Sequence, residues 1–330
     1  MNPRRCGTVF AIDGKQDWLI QNHLGLDEPE FDSVDRDQSI RQILGVAADF
    51  EYEVLSKEDW VGRHLVADRF RNGKVFLAGD AAHLWMPYAG YGMNAGIADA
   101  INLSWLLAAR LQGWAAEAML DAYDAERLPF TVQVSQFAMN HAQQMIKMKR
   151  AVPANIEEAG PAGDALRAEV GQGAYDLNVQ QFCCAGLNFG YFNAGSPIIA
   201  HESEAPPVYS MGSFTPSTVP GCRAPHFWLA DGRSLYDAFG PGYTLLRFDA
   251  NIDVKAEAKT DVTALVAAAQ ARNMPLLVLD VQAGPVAGIP TAYTHKLVLG
   301  RADQHVVWRS DGLLAGSAHL VARLCGGGDA

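Results

Sequence analysis

The stretch Gly73-Lys-Val-Phe-Leu-Ala-Gly-Asp-Ala-Ala-His-Leu-Trp-Met-Pro-Tyr-Ala-Gly-Tyr-Gly-Met-Asn-Ala-Gly-Ile-Ala-Asp-Ala-Ile-Asn-Leu-Ser-Trp105 decides how this chain is read. Val75, Phe76 and Leu77 are consecutive, so residues 74–78 are expected to form a buried strand. Gly79 and Asp80 end it and put a carboxylate at its carboxyl end, the edge where ligands sit in open α/β sheets. The loop that follows holds Pro87, Gly90 and Gly92, and paired glycines permit unusual backbone angles and close approach of a flat ligand. A helix is expected over 92–111, with Ile97, Ile101, Trp105 and Ala108 on one side. Its unpaired N–H groups and roughly half a positive charge face back toward the loop, which favours an anion or an electron-rich carbonyl. The glycines alone also fit a plain strand-loop-helix connection. They do not form a dinucleotide fingerprint, because Gly96 falls one position too late for G-x-G-x-x-G.

Working outward, 330 residues at roughly 150 per domain suggest about two domains. The net charge of -11 and the lack of a Lys/Arg stripe argue against nucleic acid. Five cysteines without a C-x-x-C pair argue against a disulfide framework or a metal site, and suggest a reducing cytoplasm. No apolar run reaches the roughly 18 residues of a membrane helix, and no signal peptide is visible.

Before the decisive stretch, residues 7–12 and 18–21 read as a hairpin turned at Asp13-Gly14. A helix is expected over 33–48, capped by Asp32 or Ser33, and a strand over 50–55. After it, 120–150 reads as a long helix that Pro129 breaks or kinks. The Pro- and Gly-rich segment 151–225 reads as a long connection rather than a core. Strands at 243–248, 276–281, 295–299 and 305–309, with helices at 260–272 and 316–324, give the order β-α-β-β-β-α of a small α/β domain.

The run Gly79-Asp80-Ala-Ala-His83, Pro87, Gly90-x-Gly92-Met93-Asn94-x-Gly96, Asp99-Ala100 and Asn102-Leu103-x-Trp105 resembles the second FAD motif of the class A flavoprotein monooxygenases. These include the phenol, 3-hydroxyphenylpropionate and polyketide aromatic hydroxylases. The resemblance implies that Gly79 and Asp80 meet the ribityl or pyrophosphate side of FAD. It implies that Pro87 and the backbone of Gly90, Tyr91, Gly92, Met93 and Asn94 line the isoalloxazine. The helix start then faces the flavin pyrimidine edge, which carries negative charge when reduced. Asp99 is expected to serve packing and hydrogen bonding, and His83 to be packed rather than a proton shuttle. No catalytic side chain is assigned, and no metal is needed.

The tail extends the resemblance. Gly221-Cys-Arg-Ala-Pro-His226, Asp231-Gly-Arg-Ser-Leu-Tyr-Asp237 and Arg301-Ala-Asp-Gln-His-Val-Val-Trp-Arg309 look like the thioredoxin-like C-terminal domain of the phenol-hydroxylase branch. Ala302 stands where that branch often has proline. The implied fold class is α/β: a partial FAD/NAD(P)-binding Rossmann-like domain with a remnant substrate-domain sheet, then a thioredoxin-like α/β domain. The implied boundaries are 1–70 for the substrate-binding remnant, 71–150 for the FAD-binding part, 151–219 for the connection and 220–330 for the thioredoxin-like domain. Implied co-reactants are FAD, NAD(P)H, O2 and a small aromatic substrate met near Trp18, Gln21 and His23, with a homodimer formed through the last domain.

No G-x-G-x-x-G opens the sequence, so it resembles a family member without its first domain-sized portion, of the order of 150 to 200 residues. On that reading the chain alone is expected to bind FAD poorly and to fold poorly around 1–150, while the C-terminal domain folds independently. The alternatives are a non-catalytic remnant or oligomerisation module, and a related flavin reductase or halogenase.

Overall fold

The computed structural model describes residues 2–25, 27–248, 260–282, 288–312 and 316–327. In chain order the elements are β1 (Gly7–Ala11), β2 (Trp18–Asn22), α1 (Arg36–Leu44), β3 (Leu65–Val66), β4 (Arg71–Asn72), β5 (Val75–Phe76), β6 (His83–Leu84), α2 (Tyr91–Leu111), α3 (Asp121–Arg150), α4 (Pro161–Phe182) and α5 (Ala185–Phe189). Then follow β7 (Tyr243–Arg247), α6 (Thr263–Ala271), β8 (Leu276–Asp280), β9 (Leu297–Arg301), β10 (Val306–Ser310) and α7 (Ser317–Leu324). Contacts group the chain into two units: Met1–His64, Trp85–Ala89 and Gln136–Phe182 form the first, and Leu65–Leu84, Gly90–Ser135 and Cys183–Ala330 the second.

In unit 1, β1 and β2 pair antiparallel from Gly7↔Asn22 to Ala11↔Trp18. The turn is made as the sequence suggests. The Asp13 carboxylate accepts from the amides of Lys15, Gln16 and Asp17, and Gly14 takes φ 69°. Val9, Phe10, Trp18 and Leu19 of this hairpin are exposed.

α1 is shorter than the expected 33–48. Asp35, not Asp32 or Ser33, caps it by accepting from the Gln38 amide, and Gly45 ends it in the left-handed region. No strand forms at 50–55. The Arg41 guanidinium instead donates to the carbonyls of Ala47 and Phe50, and residues 50–55 pair with no described strand. The segment 151–225 is more than a connection: it holds the 22-residue α4 and also α5, and it buries Val152, Ile156, Leu187, Ile198, Ile199 and Val219.

In unit 2 the expected buried strand at 74–78 shrinks to β5, which pairs antiparallel with β4 around a Gly73 turn at φ 59°. Val75 is 63% exposed. Three apolar residues in a row do not distinguish a buried parallel strand from one arm of a tight hairpin. α2 begins and ends close to expectation, but its buried face is Ala95, Asp99, Asn102, Trp105, Leu106 and Ala109, and Ile97 and Ile101 stay exposed. Asp99 and Asn102 go inside because each finds hydrogen-bonding partners there. α3 continues through Pro129 without a break.

The C-terminal elements follow the expected β-α-β-β-β-α order. They form a four-stranded sheet in the order β10-β9-β7-β8, with β7 and β8 parallel and the other pairs antiparallel. Alternate residues serve its two faces. Leu245, Leu297 and Leu299 join one apolar cluster, and Leu246 and Val298 join another with Phe227 and Phe248. The first cluster also contains Trp105 and Leu106 of α2 and Tyr123 of α3. Trp105 meets the Tyr243 ring edge-on at 6.1 Å. The sheet therefore shares its core with α2 and the start of α3.

Candidate functional site

The site begins where β5 runs out. A 3-10 turn over Gly79–Ala81 follows, with Gly79 at φ 58°. A Cβ on Gly96 would lie 3.2 Å from the Gly79 Cα, so the turn rests directly on the backbone of α2. Gly96 lies about one helical turn, roughly 6 Å, inside Gly92. Asp80 and the start of α2 are thus at the same end of that helix. The sequence motif supplies both glycines: close approach keeps position 96 bare, and the left-handed φ favours glycine at 79.

Asp99 locks the junction. Its carboxylate accepts from the Gly79 amide at 3.1 Å, bonds His83 Nε2 at 2.7 Å and accepts from Arg127 Nε at 2.8 Å. Burial pushes the Asp99 carboxyl up, but His83, Arg127 and the Gly79 amide together hold it below the ordinary carboxylate range. His83 is buried against Phe70 as well as Asp99, in keeping with a packed histidine.

The start of α2 has no side-chain cap. Gly90 is the N-cap, with φ 66°, and Asn94 Nδ2 donates back to the Gly90 carbonyl at 2.8 Å. A Cβ on Gly90 or Gly92 would meet nothing within 4 Å, so there is room beside the first turn. Met93 and Asn94 are exposed, as is Asp80. The Tyr91 side chain is committed elsewhere: its hydroxyl bonds Cys184 Sγ at 2.6 Å and donates to Asn188 Oδ1 at 3.2 Å. Burial, reinforced by Cys184, raises the Tyr91 phenol well above its usual pKa. Gly79, Asp80, Gly90, Tyr91, Gly92, Met93 and Asn94 all lie in unit 2, and Pro87 lies in the 85–89 segment of unit 1.

Two supporting groups escaped the sequence reading. Arg127 secures Asp99, and its guanidinium also lies 4.7 Å from the Phe130 ring centre. Glu126 accepts from Asn102 Nδ2, Ser196 Oγ and both terminal nitrogens of Arg301. Arg301 also reaches Asp303, whose pKa burial raises but Arg301 and His305 pull far down. Arg301 and Asp303 stand in a quoted motif, but nothing in the spacing names Glu126 as their partner.

Residues 8–138 match the family model described as an FAD binding domain. The chain is 29% identical over 312 residues to the FAD-dependent monooxygenase opdD of Penicillium oxalicum, covering 92% of this chain and 58% of that protein. It is 26% identical over 328 residues to the phenol 2-monooxygenase of Pseudomonas sp., covering 91% and 53%. The rebeccamycin biosynthetic enzyme RebC, solved with reduced flavin, superposes with a TM-score of 0.78 and 34% identity over 97% of this chain and 56% of that one. The chain therefore spans little more than half the length of these relatives. Matched domain, relatives and fold agree: the chain is similar over nearly its whole length to the class A FAD-dependent aromatic hydroxylases.

Proposed function

We propose that this chain contributes to an FAD-dependent monooxygenase that hydroxylates a phenolic or related aromatic substrate with NAD(P)H and O2. The observation that carries the reading is the junction of the Gly79–Ala81 turn with the glycine-capped start of α2. First-turn amides have no intrahelical acceptor, and the helix end carries roughly half a positive charge. That suits the electron-rich pyrimidine side of a flavin. Asp80 accepts hydrogen bonds from ribityl or pyrophosphate-side hydroxyls. The backbone of residues 90–94 lines the ring, with open space at Gly90 and Gly92 to admit it. The flavin, reduced by NAD(P)H, supplies the activation of O2; the protein orients the aromatic ring and keeps water out.

The β-α-β-β-β-α segment supports a thioredoxin-like reading of 220–330. Its first strand lies between the second and third, and the fourth is at the edge. In this reading that module carries homodimerisation, 1–70 contributes to the substrate-binding sheet, 71–150 to FAD binding, and 151–219 links them. The cytosol, which supplies NAD(P)H and keeps thiols reduced, is the fitting compartment.

The purified chain is expected to hold FAD weakly by itself, so quenching of FAD fluorescence and a perturbed flavin absorption spectrum should emerge only at high protein concentration. Asp80→Ala should weaken FAD about tenfold or more, the loss of one or two good hydrogen bonds. Phenols should stimulate NAD(P)H oxidation, and labelled O2 should leave one atom in the product. A chain that folds yet leaves the FAD spectrum unchanged at high protein concentration sinks the reading.

A further inference from the structure

The second half of α3 carries an imidazole that neither the family motif nor the flavin site uses. His141 is 3% exposed, and neither ring nitrogen has a hydrogen-bond partner among the described residues. Its ring neighbours are Tyr88, at 6.2 Å between centroids, and Phe137, at 6.1 Å. Tyr88 is the residue after Pro87, and both it and His141 belong to unit 1. A buried polar atom left unpaired bears its full desolvation penalty, so a native site that keeps one holds it for a partner.

The surroundings describe that partner. Cys6 interacts electrostatically with Tyr88, and its Sγ is 3.5 Å from His23 Nδ1. Lys149 Nζ donates to Thr8 Oγ1 at 2.5 Å. Burial is the leading influence on all five ionisable groups: Cys6 and Tyr88 are pushed up, and His23, His141 and Lys149 down. Lys149 and Arg150 also act on Cys6 and His23, and Arg5 on Cys6, so it is the imidazole's hydrogen-bonding atoms and the two rings that define what His141 can hold. A neutral imidazole offers one donor and one acceptor. A hydroxyl group presents the matching acceptor and donor, and the Tyr88 and Phe137 rings suit a flat apolar body.

We propose that His141 hydrogen-bonds the hydroxyl of a hydroxyarene bound in unit 1, and so selects hydroxylated over unhydroxylated rings. This rests on the aromatic-substrate reading above. The assignment adds the residue that recognises the substrate oxygen.

The test uses the full chain with two probes, 2-naphthol and its methyl ether, with binding read by fluorescence titration. Wild type should bind the naphthol about tenfold more tightly than the ether, the difference one hydrogen bond provides. His141→Leu should erase that preference while leaving ether affinity within about twofold, and should not lower the melting temperature. His141→Gln, which keeps a donor and an acceptor, should retain part of the preference. Should Leu prevent folding, His141→Phe, which extends the Tyr88–Phe137 ring cluster, carries the same comparison. Equal binding of both probes by wild type, or a preference that survives His141→Leu, overturns the assignment but leaves an aromatic site standing. Binding of neither probe overturns the aromatic-site reading and this assignment together. A lowered melting temperature with unchanged probe binding marks His141 as structural, and also overturns it.

Discussion

Asp99 joins three donors from separate parts of the chain: the Gly79 amide, the His83 ring and the Arg127 guanidinium. Asp99→Ala leaves Arg127 buried without its counter-charge and should cost about 3–5 kcal/mol in urea unfolding, with Asp99→Asn milder. The acid side follows from the sign of the shift. The folded pKa lies below the ordinary 3.8, so the contribution is complete above that value and is lost as pH falls through the folded one. Wild-type stability measured from about pH 6 to about pH 2.5 should therefore drop more steeply than that of Asp99→Asn. At this scale the sequence was half legible. Asp99 stands in a recognisable motif and reads as structural. Arg127 is 28 positions away, and no periodicity ties the two.

Elements were most legible where local chemistry forces them. The Asp13-Gly14 turn has its own acceptor and its own glycine, and it forms as read. β5 was misjudged because neighbouring apolar residues say nothing about pairing direction. The face of α2 differs from the expected one because Ile97 and Ile101 match the helical period, whereas the Arg127 ion pair draws Asp99 inside and a hydrogen bond to Glu126 draws Asn102. Gly96 tests how α2 meets the Gly79 turn. Alanine there gains about 0.5–1 kcal/mol of helix propensity. It also places a methyl 3.2 Å from backbone that has no flexible end to move aside. Overpacking costs about 1–3 kcal/mol, so Gly96→Ala should destabilise the chain on balance. It should also weaken FAD by displacing Asp80. Unchanged thermal stability and FAD titration would show that the turn yields freely.

At the level of the molecule, the tie of Glu126 to Arg301 and the Trp105–Tyr243 contact make α2, the first half of α3 and the C-terminal sheet one body of packing within unit 2. A module boundary near 220 follows the motifs, and the core does not respect it. Arg301→Met should cost about 3–5 kcal/mol by leaving Glu126 and Asp303 buried without their cation. Combined with Glu126→Gln, the loss should fall short of the sum of the two single losses by at least about 1 kcal/mol in a double-mutant cycle. Strict additivity would deny the coupling. The β1–β2 hairpin has a different consequence. Four water-facing side chains, two of them aromatic and two on each face, give the hairpin of unit 1 an adhesive surface. Salting-out agents strengthen apolar contact and chaotropes relax it. That surface therefore makes recovery of dispersed, countable particles depend first on the choice of buffer anion.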